Sequence, residues 1–173
     1  ICLNLINRAG RVAFPCYPSR MKLLRAFFIS IACTGLALAD NWPGWRGPDG
    51  TGISSEKNFP TQWSAKQNVR WRVSLLERGN SSPVVWGNKV FITQAREEKG
   101  LRNLICFDRA TGKKLWVQSV VYGTREPTHR TNPYCSASPV TDGSYVVVSH
   151  ASAGLICYDM AGKEMWRKDL GEQ

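Results

Sequence analysis

Leu104-Ile105-Cys106-Phe107-Asp108-Arg109-Ala110-Thr111-Gly112-Lys113-Lys114-Leu115-Trp116 decides the fold, because the chain repeats it in a slightly shortened form. The second copy is Leu155-Ile156-Cys157-Tyr158-Asp159-Met160-Ala161-Gly162-Lys163-Glu164-Met165-Trp166. Each copy follows a second repeated stretch, which begins with Ser82-Pro83-Val84 in one case and Ser138-Pro139-Val140 in the other. Two pairs in the same order indicate a repeat architecture.

Both halves of the repeat predict β-hairpins. Short β-branched and aromatic runs flank Gly87-Asn88 in the first copy and Asp142-Gly143 in the second. In such turn pairs glycine supplies a positive φ angle, and Asn or Asp tolerates one. The sequence therefore predicts four strands for the first copy, near residues 82–86, 89–94, 102–108 and 114–120.

Three tryptophans mark the period of the repeat. Trp71, Trp116 and Trp166 are each followed four residues later by an aliphatic side chain, which in a strand lies on the same face. Successive tryptophans are 45 and 50 residues apart. A unit of four strands with this length is typical of a β-propeller blade.

The stretch Asp108 to Trp116 resembles the Asp-x-x-Thr-Gly-Lys-x-x-Trp signature of propellers built from pyrroloquinoline-quinone (PQQ)-like repeats. The second copy lacks the threonine, and the resemblance covers roughly residues 69–170. It implies an all-β propeller of four-stranded antiparallel blades, about two of which are present with one ring-closing strand. The implied structural repeat residues are Asp108, Gly112, Trp116, Asp159, Gly162 and Trp166.

The first 39 residues have the character of a leader. We interpret residues 1–20 as upstream, non-native sequence and residues 21–39 as a signal peptide, with Lys22 and Arg25 before an apolar run and Ala37-Leu38-Ala39 before the cleavage point. The apolar run is shorter than the roughly 20 residues of a transmembrane helix. We therefore predict an exported protein, periplasmic or extracellular, without a transmembrane span after cleavage.

A lipid anchor through Cys33 is the alternative to soluble export. Ser30-Ile31-Ala32-Cys33 is similar to a lipoprotein box, but Ser30 stands where leucine is expected. We therefore favour soluble export.

After the leader, the sequence predicts an irregular arm over residues 40–68 and a partial propeller over residues 69–173. Within the propeller we expect blades at about 82–120 and 138–170 and a closing strand at about 69–75. Because a propeller usually has about 4 to 8 blades, we expect the chain to be an N-terminal fragment of a longer protein.

Charge and cysteine content exclude several classes of function. The five basic residues before Asp40 account for half of the formal net charge of +10, and no nucleic-acid-binding motif is present. Cys106 and Cys157 occupy equivalent repeat positions, so we expect two buried thiols and no disulfide. His129 and His150, the two histidines, have no Cys, Asp or Glu at metal-ligand spacing, and we predict neither a metal site nor catalytic residues.

One connection carries the candidate ligand residues. Residues 122–136 link the blades on the face that commonly forms the ligand-binding mouth of a propeller, and they include His129, Arg130, Asn132 and Tyr134. Arg130 could offer bidentate hydrogen bonds to an anionic ligand. The alternative, which we favour, is that Asn132-Pro133 sets a turn, Tyr134 packs on the blade and Arg130 is solvated.

These features favour an exported, non-catalytic binding or assembly scaffold with a protein or cell-envelope ligand on the loop face. The first alternative is a periplasmic quinoprotein dehydrogenase, which the resemblance would supply with PQQ and calcium. An adjacent Cys-Cys pair and calcium-binding acidic residues, implied for such enzymes, have no match here, so no cofactor is evident. The second alternative is an extracellular sensor or carbohydrate-binding module.

Overall fold

The computed structural model describes residues 40–57 and 59–172, in which the regular structure is almost entirely β. Eight strands within this part of the chain form two four-stranded sheets. The first sheet contains β1 (Val84–Trp86), β2 (Lys89–Arg96), β3 (Leu101–Asp108) and β4 (Lys114–Val121). The second contains β5 (Val140–Thr141), β6 (Tyr145–Ser149), β7 (Leu155–Asp159) and β8 (Glu164–Lys168).

Each sheet is an antiparallel meander in which neighbouring strands follow one another in the sequence. The 3-10 turns Glu97–Lys99 and Ala151–Ala153 join the two middle strands of the respective sheets. The chain thus forms two consecutive propeller blades, and the predicted all-β class is confirmed. The four strands predicted for the first blade are also confirmed, with ends that differ by one or two residues.

Both blades contain an irregularity at the same repeat position. The pairing of β3 with β4 shifts register between Cys106 and Phe107, and that of β7 with β8 shifts between Cys157 and Tyr158. A β-bulge bends its strand and increases the local twist. The two blades therefore share one bend immediately after the repeated cysteine, and both cysteines are free and buried as expected.

The main core lies between the two sheets. Phe91 and Leu104 from the first sheet meet Val146, Ile156 and Tyr158 from the second, and each of these side chains is at most 2% exposed. They alternate along their strands with residues that face the other way, as the period of two requires. Burial of one such side chain contributes about 1.5 to 3 kcal/mol, so this interface supplies much of the stability.

Trp116 of the first blade contacts a turn of the second blade. Its indole ring lies on Gly162, where an added Cβ atom would approach the ring to 2.9 Å, and its Nε1–H donates to the carbonyl of Met160 at 3.3 Å. Gly162 has a φ angle of 90°. This turn thus requires glycine for its backbone conformation and for its contact with the ring. Trp116 therefore packs between the two blades.

The repeated aspartates stabilise the turns on which the tryptophans lie. Asp108 Oδ1 accepts hydrogen bonds from Thr111 Oγ1 at 2.7 Å and Thr111 N at 2.8 Å. Asp159 Oδ1 accepts from the backbone amides of Ala161 and Lys163, both at 2.9 Å. These bonds to Thr111 lower the pKa of Asp108. Both aspartates are thus turn-forming residues.

Trp71 makes the same contact one repeat earlier. Its ring lies on Gly112, where an added Cβ would approach to 2.6 Å, and its Nε1–H donates to Arg109 O at 2.9 Å. Val73 and Leu75 lie with it against the face of the first sheet that points away from the second sheet. The segment therefore covers that face as a preceding blade would.

The predicted closing strand at 69–75 is nevertheless not formed. Residues 69–75 have no strand assignment, because no strand among the described residues pairs with them. Side-chain packing and the hydrogen bond from Trp71 Nε1 to Arg109 O hold this segment against the first sheet. The expected role of this segment, to complete a blade whose other strands are not among the described residues, stays a prediction.

The first part of the predicted arm, residues 40–57, contacts the first strands of both sheets. Trp42 exchanges two backbone hydrogen bonds with Val85 of β1, both 2.8 Å long, and Thr141 N of β5 donates to Pro43 O at 2.9 Å. Asn41 Oδ1 accepts from Gly87 N at 2.8 Å. Because β1 and β5 are edge strands, the arm satisfies backbone groups that these edges would otherwise leave open.

Residues 40–57 and 59–172 contain no helix with the length and apolar character needed to cross a membrane. The predicted upstream segment at 1–20, the signal peptide at 21–39 and the alternative anchor Cys33 lie outside the described residues. They stay predictions.

Candidate functional site

The candidate site lies where the middle strands are joined within each sheet and where residues 122–139 link the two sheets. We call this end of the sheets, formed by residues 97–100, 122–139 and 150–154, the loop face. Antiparallel connectivity brings these three segments to one end, because each strand reverses the direction of the previous one. The opposite end carries the hairpin turns at 87–88, 109–113, 142–144 and 160–163.

Two neighbouring cavities open on the loop face. The first has a volume of about 290 Å³ and lies between the 122–139 connection and the end of β6. The second, of about 350 Å³, lies between that connection and residues 97–100. Arg102 and Tyr134 line both cavities and so form the wall between them.

Arg102 is the central charged group of the site. It comes from β3, and its side chain is only 3% exposed. The guanidinium carbon lies 3.7 Å from the centre of the Tyr134 ring, a cation–π stack. Its Nη2 atom lies 3.8 Å from Glu126 Oε2, so the buried cation has one carboxylate partner. Such pairing offsets the desolvation of both charges.

Tyr134 holds the connection in a fixed shape. Its hydroxyl donates to Glu126 O at 2.6 Å and accepts from Glu126 N at 2.8 Å, which closes a loop of nine residues. Thr93 Oγ1 from β2 contacts the carbonyl oxygens of Cys135 at 2.9 Å and Ala137 at 3.0 Å. These contacts anchor the connection to the first blade.

Cys135 and His150 lie side by side in the wall of the first cavity. The distance from Cys135 Sγ to His150 Nδ1 is 3.7 Å, and the two residues are 7% and 3% exposed. Cys135 has a φ angle of 58°, which is rare outside glycine. A strained backbone of this kind persists only where its surroundings enforce it, and here Thr93 and His150 contact the residue.

Burial keeps both groups uncharged. It raises the pKa of the Cys135 thiol to about 11. It also lowers the pKa of His150 to about 4, helped by the positive charges of Arg102 and Arg167. A thiol nucleophile reacts as the thiolate. The Cys135–His150 pair is therefore a neutral polar contact at pH 7.

Two atoms from residues that line the first cavity have no hydrogen-bond partner. In the described part of the chain, Glu126 Oε1 and His150 Nε2 are buried and unpartnered, as is Asn103 Oδ1 of the adjacent β3. An unpartnered buried polar atom costs about 1 to 3 kcal/mol. Unpartnered buried polar atoms are uncommon in folded proteins, so this part of the blade is less completely hydrogen-bonded than the strands around it.

The four predicted ligand residues have different environments. His129, Asn132 and Tyr134 line the first cavity, whereas Arg130 is exposed outside it. Asn132 N donates to His129 O at 2.8 Å, so the turn lies at residues 130–131 and not at Asn132-Pro133. The structure thus brings three of the four together, with Tyr134 serving mainly as an anchor.

Sequence reasoning missed the buried half of the site. Arg102 and Glu126 were not identified, and His150 was considered only as a metal ligand. A signal existed at Arg102-Asn103, where two polar residues enter an apolar strand, because buried polar residues usually have a specific partner. Nothing in the sequence pairs Glu126 with Arg102, since that contact depends on the path of the connection.

The described residues do not fit PQQ or calcium. Within 40–57 and 59–172, no three His, Cys, Asp or Glu side chains are grouped so that they could hold a metal ion. Trp71 and Trp116 each lie on a glycine of the neighbouring turn, so their faces are already used in packing. No step of a reaction is therefore assigned to either group.

A family model matches most of the described chain. The model described as outer membrane protein assembly factor BamB matches residues 61–132 and again residues 102–173. The two matches overlap, and together they extend over more than half of the 173 residues. They include both copies of the Asp-to-Trp stretch.

Two solved structures illustrate the similarity. BamB from Moraxella catarrhalis is 21% identical over 49% of this chain and 21% of its own, with a TM-score of 0.32. A europium-containing methanol dehydrogenase is 16% identical over 60% of this chain and 19% of its own, with a TM-score of 0.41. The similar region thus spans about a fifth of each of those chains. Comparison with curated proteins gave no match.

Proposed function

The chain belongs to the PQQ-like repeat propeller family whose model is described as outer membrane protein assembly factor BamB, and on this basis we propose that it is an exported, non-catalytic binding scaffold. Its partner is a protein of the cell envelope, and the partner docks on the loop face. PQQ-like repeats supply architecture for several functions, so the site must carry the functional argument.

The observation that carries this proposal is the anchored connection on the loop face. The buried side of residues 122–139 is held by contacts among Arg102, Glu126 and Tyr134. The side chains of His129 and Arg130, in the same connection, are exposed to solvent. A surface that is ordered before binding loses less conformational entropy when a partner docks. The combination of a fixed base and an exposed polar rim supports partner capture.

The chemistry of the buried groups supports a non-catalytic role. The Cys135 thiol is protonated at neutral pH because burial raises its pKa to about 11. His150 is neutral at the same pH because burial lowers its pKa to about 4. Neither group is poised to transfer a proton near pH 7, where general acid–base catalysts have their pKa values.

Site-specific photo-crosslinking in the native envelope tests this function. A photoreactive amino acid replaces Arg130 on the loop face or, as the matched control, Lys114 near the opposite end; both positions are exposed. We expect one discrete protein adduct from position 130 and none from position 114. With the photoreactive amino acid at position 129 instead, Arg130→Glu should weaken the protein adduct formed there. Lys114→Glu should leave that adduct unchanged.

A titration of the same protein with PQQ and Ca²⁺, followed by dye-linked alcohol oxidation, tests the enzymatic alternative. Saturable cofactor binding with turnover would overturn the non-catalytic proposal. Equal adducts at positions 130 and 114, or none at either, would overturn docking on the loop face.

A further inference from the structure

The outer edge of the first blade is formed by β4, which is the last strand of its sheet. In the described part of the chain β4 pairs with β3 on one side and with no strand on the other. We propose that this edge pairs with the β4 edge of a second copy of the chain, antiparallel and about a two-fold axis. The inference goes beyond the proposed function, because it concerns a surface other than the loop face.

The sequence of β4 lacks the usual protection of a sheet edge. Natural edges are kept from pairing by charged side chains, proline, bulges or short length. β4 has eight residues, its single pairing irregularity falls at Leu115, and residues 116–121 pair regularly with β3. Residues 116–122 contain no charge, proline or glycine, and five of the seven are valine, tryptophan or tyrosine. Uncharged segments of this length and composition pair readily with other strands.

The equivalent edge of the second blade is protected. Counted from Trp116 and Trp166, residues 117–119 correspond to residues 167–169. The first set is Val-Gln-Ser, and the second is Arg-Lys-Asp. β8 is also shorter than β4, with five residues against eight. The repeat thus has charges in one copy at the positions where the other copy has none, which singles out β4 as the pairing edge.

Residues 116–122 are complementary to themselves in one register. Two antiparallel strands related by a two-fold axis place side chains of the same face opposite each other. With Ser119 at the axis, Val117 lies opposite Val121 and Trp116 lies opposite Tyr122. Val117 and Val121 are 41% and 76% exposed, so the pairing covers apolar surface. Cross-strand pairs of β-branched and of aromatic residues stabilise a sheet, and no like charges meet in this register.

Pairing about a two-fold axis also limits the assembly to two copies. Each copy uses its β4 edge once, so the interface closes on itself. Because the paired strands run in opposite directions, the loop faces of the two copies point opposite ways, and each stays free for partner docking. Lys114 precedes the irregularity at Leu115 and lies outside the paired residues.

Sedimentation of the full chain over a range of concentrations tests the pairing. We expect a monomer–dimer equilibrium in the wild type. Ser119→Lys and Ser119→Glu, each checked for folding by circular dichroism, place like charges opposite each other and should raise the dimer dissociation constant about fivefold, the upper range for one cross-strand pair. An equimolar mixture of the two variants should restore dimers, because lysine then faces glutamate.

Ser144 supplies the matched control, since it is an exposed serine in a hairpin turn of the second blade. Ser144→Lys and Ser144→Glu introduce the same charges and should associate as the wild type does. Hydrogen exchange gives a second readout that needs no variant. Exchange within residues 116–121 should slow as the concentration of the wild type rises, and exchange within residues 164–168 should not.

Four outcomes would overturn the proposal. They are a wild type that is monomeric at every concentration, growth beyond two copies, equal effects of the Ser119 and Ser144 substitutions, and no recovery of dimers in the mixture. Crosslinking from position 130 is measured separately, so a failure of β4 pairing and a failure of docking on the loop face are distinguishable.

Discussion

Trp116 packs against the core between the two blades. Its ring contacts Gly162 and lies 5.8 Å from the ring of Phe91, centre to centre. Truncation of a large buried aromatic side chain usually costs about 3 to 5 kcal/mol. Because Trp116 is only partly buried, we expect Trp116→Ala to lower the free energy of unfolding by about 3 kcal/mol.

Urea denaturation of the wild type and two variants measures this effect. Trp63→Ala is the matched control, because Trp63 is 70% exposed and should change the free energy of unfolding by less than about 0.5 kcal/mol. Similar losses in the two variants would show that Trp116 has no special role between the blades.

His150 gives the protein a pH dependence of known sign. Its folded-state pKa is lowered from 6.5 to about 4, chiefly by burial and further by the charges of Arg102 and Arg167. The unfolded chain therefore takes up a proton at a higher pH than the folded chain does. Stability is full above about pH 6.5 and declines as the pH falls toward 4, where the loss reaches roughly 3 kcal/mol.

Denaturant midpoints recorded from pH 7.5 to pH 4 measure that loss. His150→Gln should remove most of the slope between pH 6.5 and 4, and His129→Gln should keep it. Carboxylates such as Asp108 titrate at acid pH in every variant, so the comparison is between slopes and not between absolute stabilities. An unchanged slope in His150→Gln would contradict the assignment.

At the scale of single residues, the roles of residues that occur in both copies of the repeat could be predicted from the sequence. The roles of residues that occur in one copy were missed. Asp108 and Trp116 could be interpreted because Asp159 and Trp166 appear at equivalent positions. Arg102 has no counterpart of its kind, because the equivalent position in the second copy is Ala153. Its ion pair joins residues that only the folded path of the connection brings together.

At the scale of elements, the first hairpin turns of the two blades differ in one contact. Gly87 has a φ angle of 55° and open space around an added Cβ, whereas a Cβ at Gly143 would approach the Trp86 ring to 2.3 Å. Gly143 has a φ angle of 90°. We expect Gly143→Ala to lower the free energy of unfolding by at least about 2 kcal/mol and Gly87→Ala to lower it by about 1 kcal/mol. Both substitutions strain the backbone, but only the alanine at position 143 would also clash with a side chain.

Thermal unfolding of the two glycine variants, read by tryptophan fluorescence, checks this difference. A Trp86→Ala background should reduce the cost of Gly143→Ala and leave that of Gly87→Ala unchanged. If both glycine substitutions lower the stability of the wild-type background equally, the Trp86 ring moves away from the added Cβ without a loss of stability.

The strands were predictable where a turn pair fixed both ends of a hairpin. Gly87-Asn88 and Asp142-Gly143 identified the first hairpin of each blade correctly. The segment 69–75 has the same composition as a strand but no neighbouring strand among the described residues. Amino-acid composition indicates whether a segment can form a β-strand. Backbone pairing also requires a neighbouring strand.

At the scale of the whole molecule, the arm holds two blades together through their first strands. The amides of Val85 and Thr141 donate to Trp42 O and Pro43 O at 2.8 and 2.9 Å. Deletion of residues 40–52 should therefore speed hydrogen exchange at these two amides at least tenfold. The amide of Ile105, in the central strand β3, should keep its protection and serves as the internal control.

Mass-spectrometric or NMR exchange measurements on the full and shortened chains record that change. Uniform acceleration across both sheets would show that the arm is required for global stability. No change at Val85 and Thr141 would show that the arm does not protect these edges.

The architecture followed from the repeat alone, because two copies of one four-strand unit leave few alternatives. The path of the arm could not be predicted in this way. Trp42 and Pro43 pair with strands that lie far away in the sequence, and no local sequence pattern encodes such pairing. The cavity was missed for the same reason. Its walls come from β3, from the 122–139 connection and from the end of β6.

The position of the arm also fixes an order of events during synthesis. A ribosome releases residues 40–52 before the strands with which they pair, so the emerging arm has no β1 partner until Val85 appears and no β5 partner until Thr141 appears. The arm is thus synthesised before both of the strands that hold it, and its backbone hydrogen bonds to β5 can form only after Thr141 has been made.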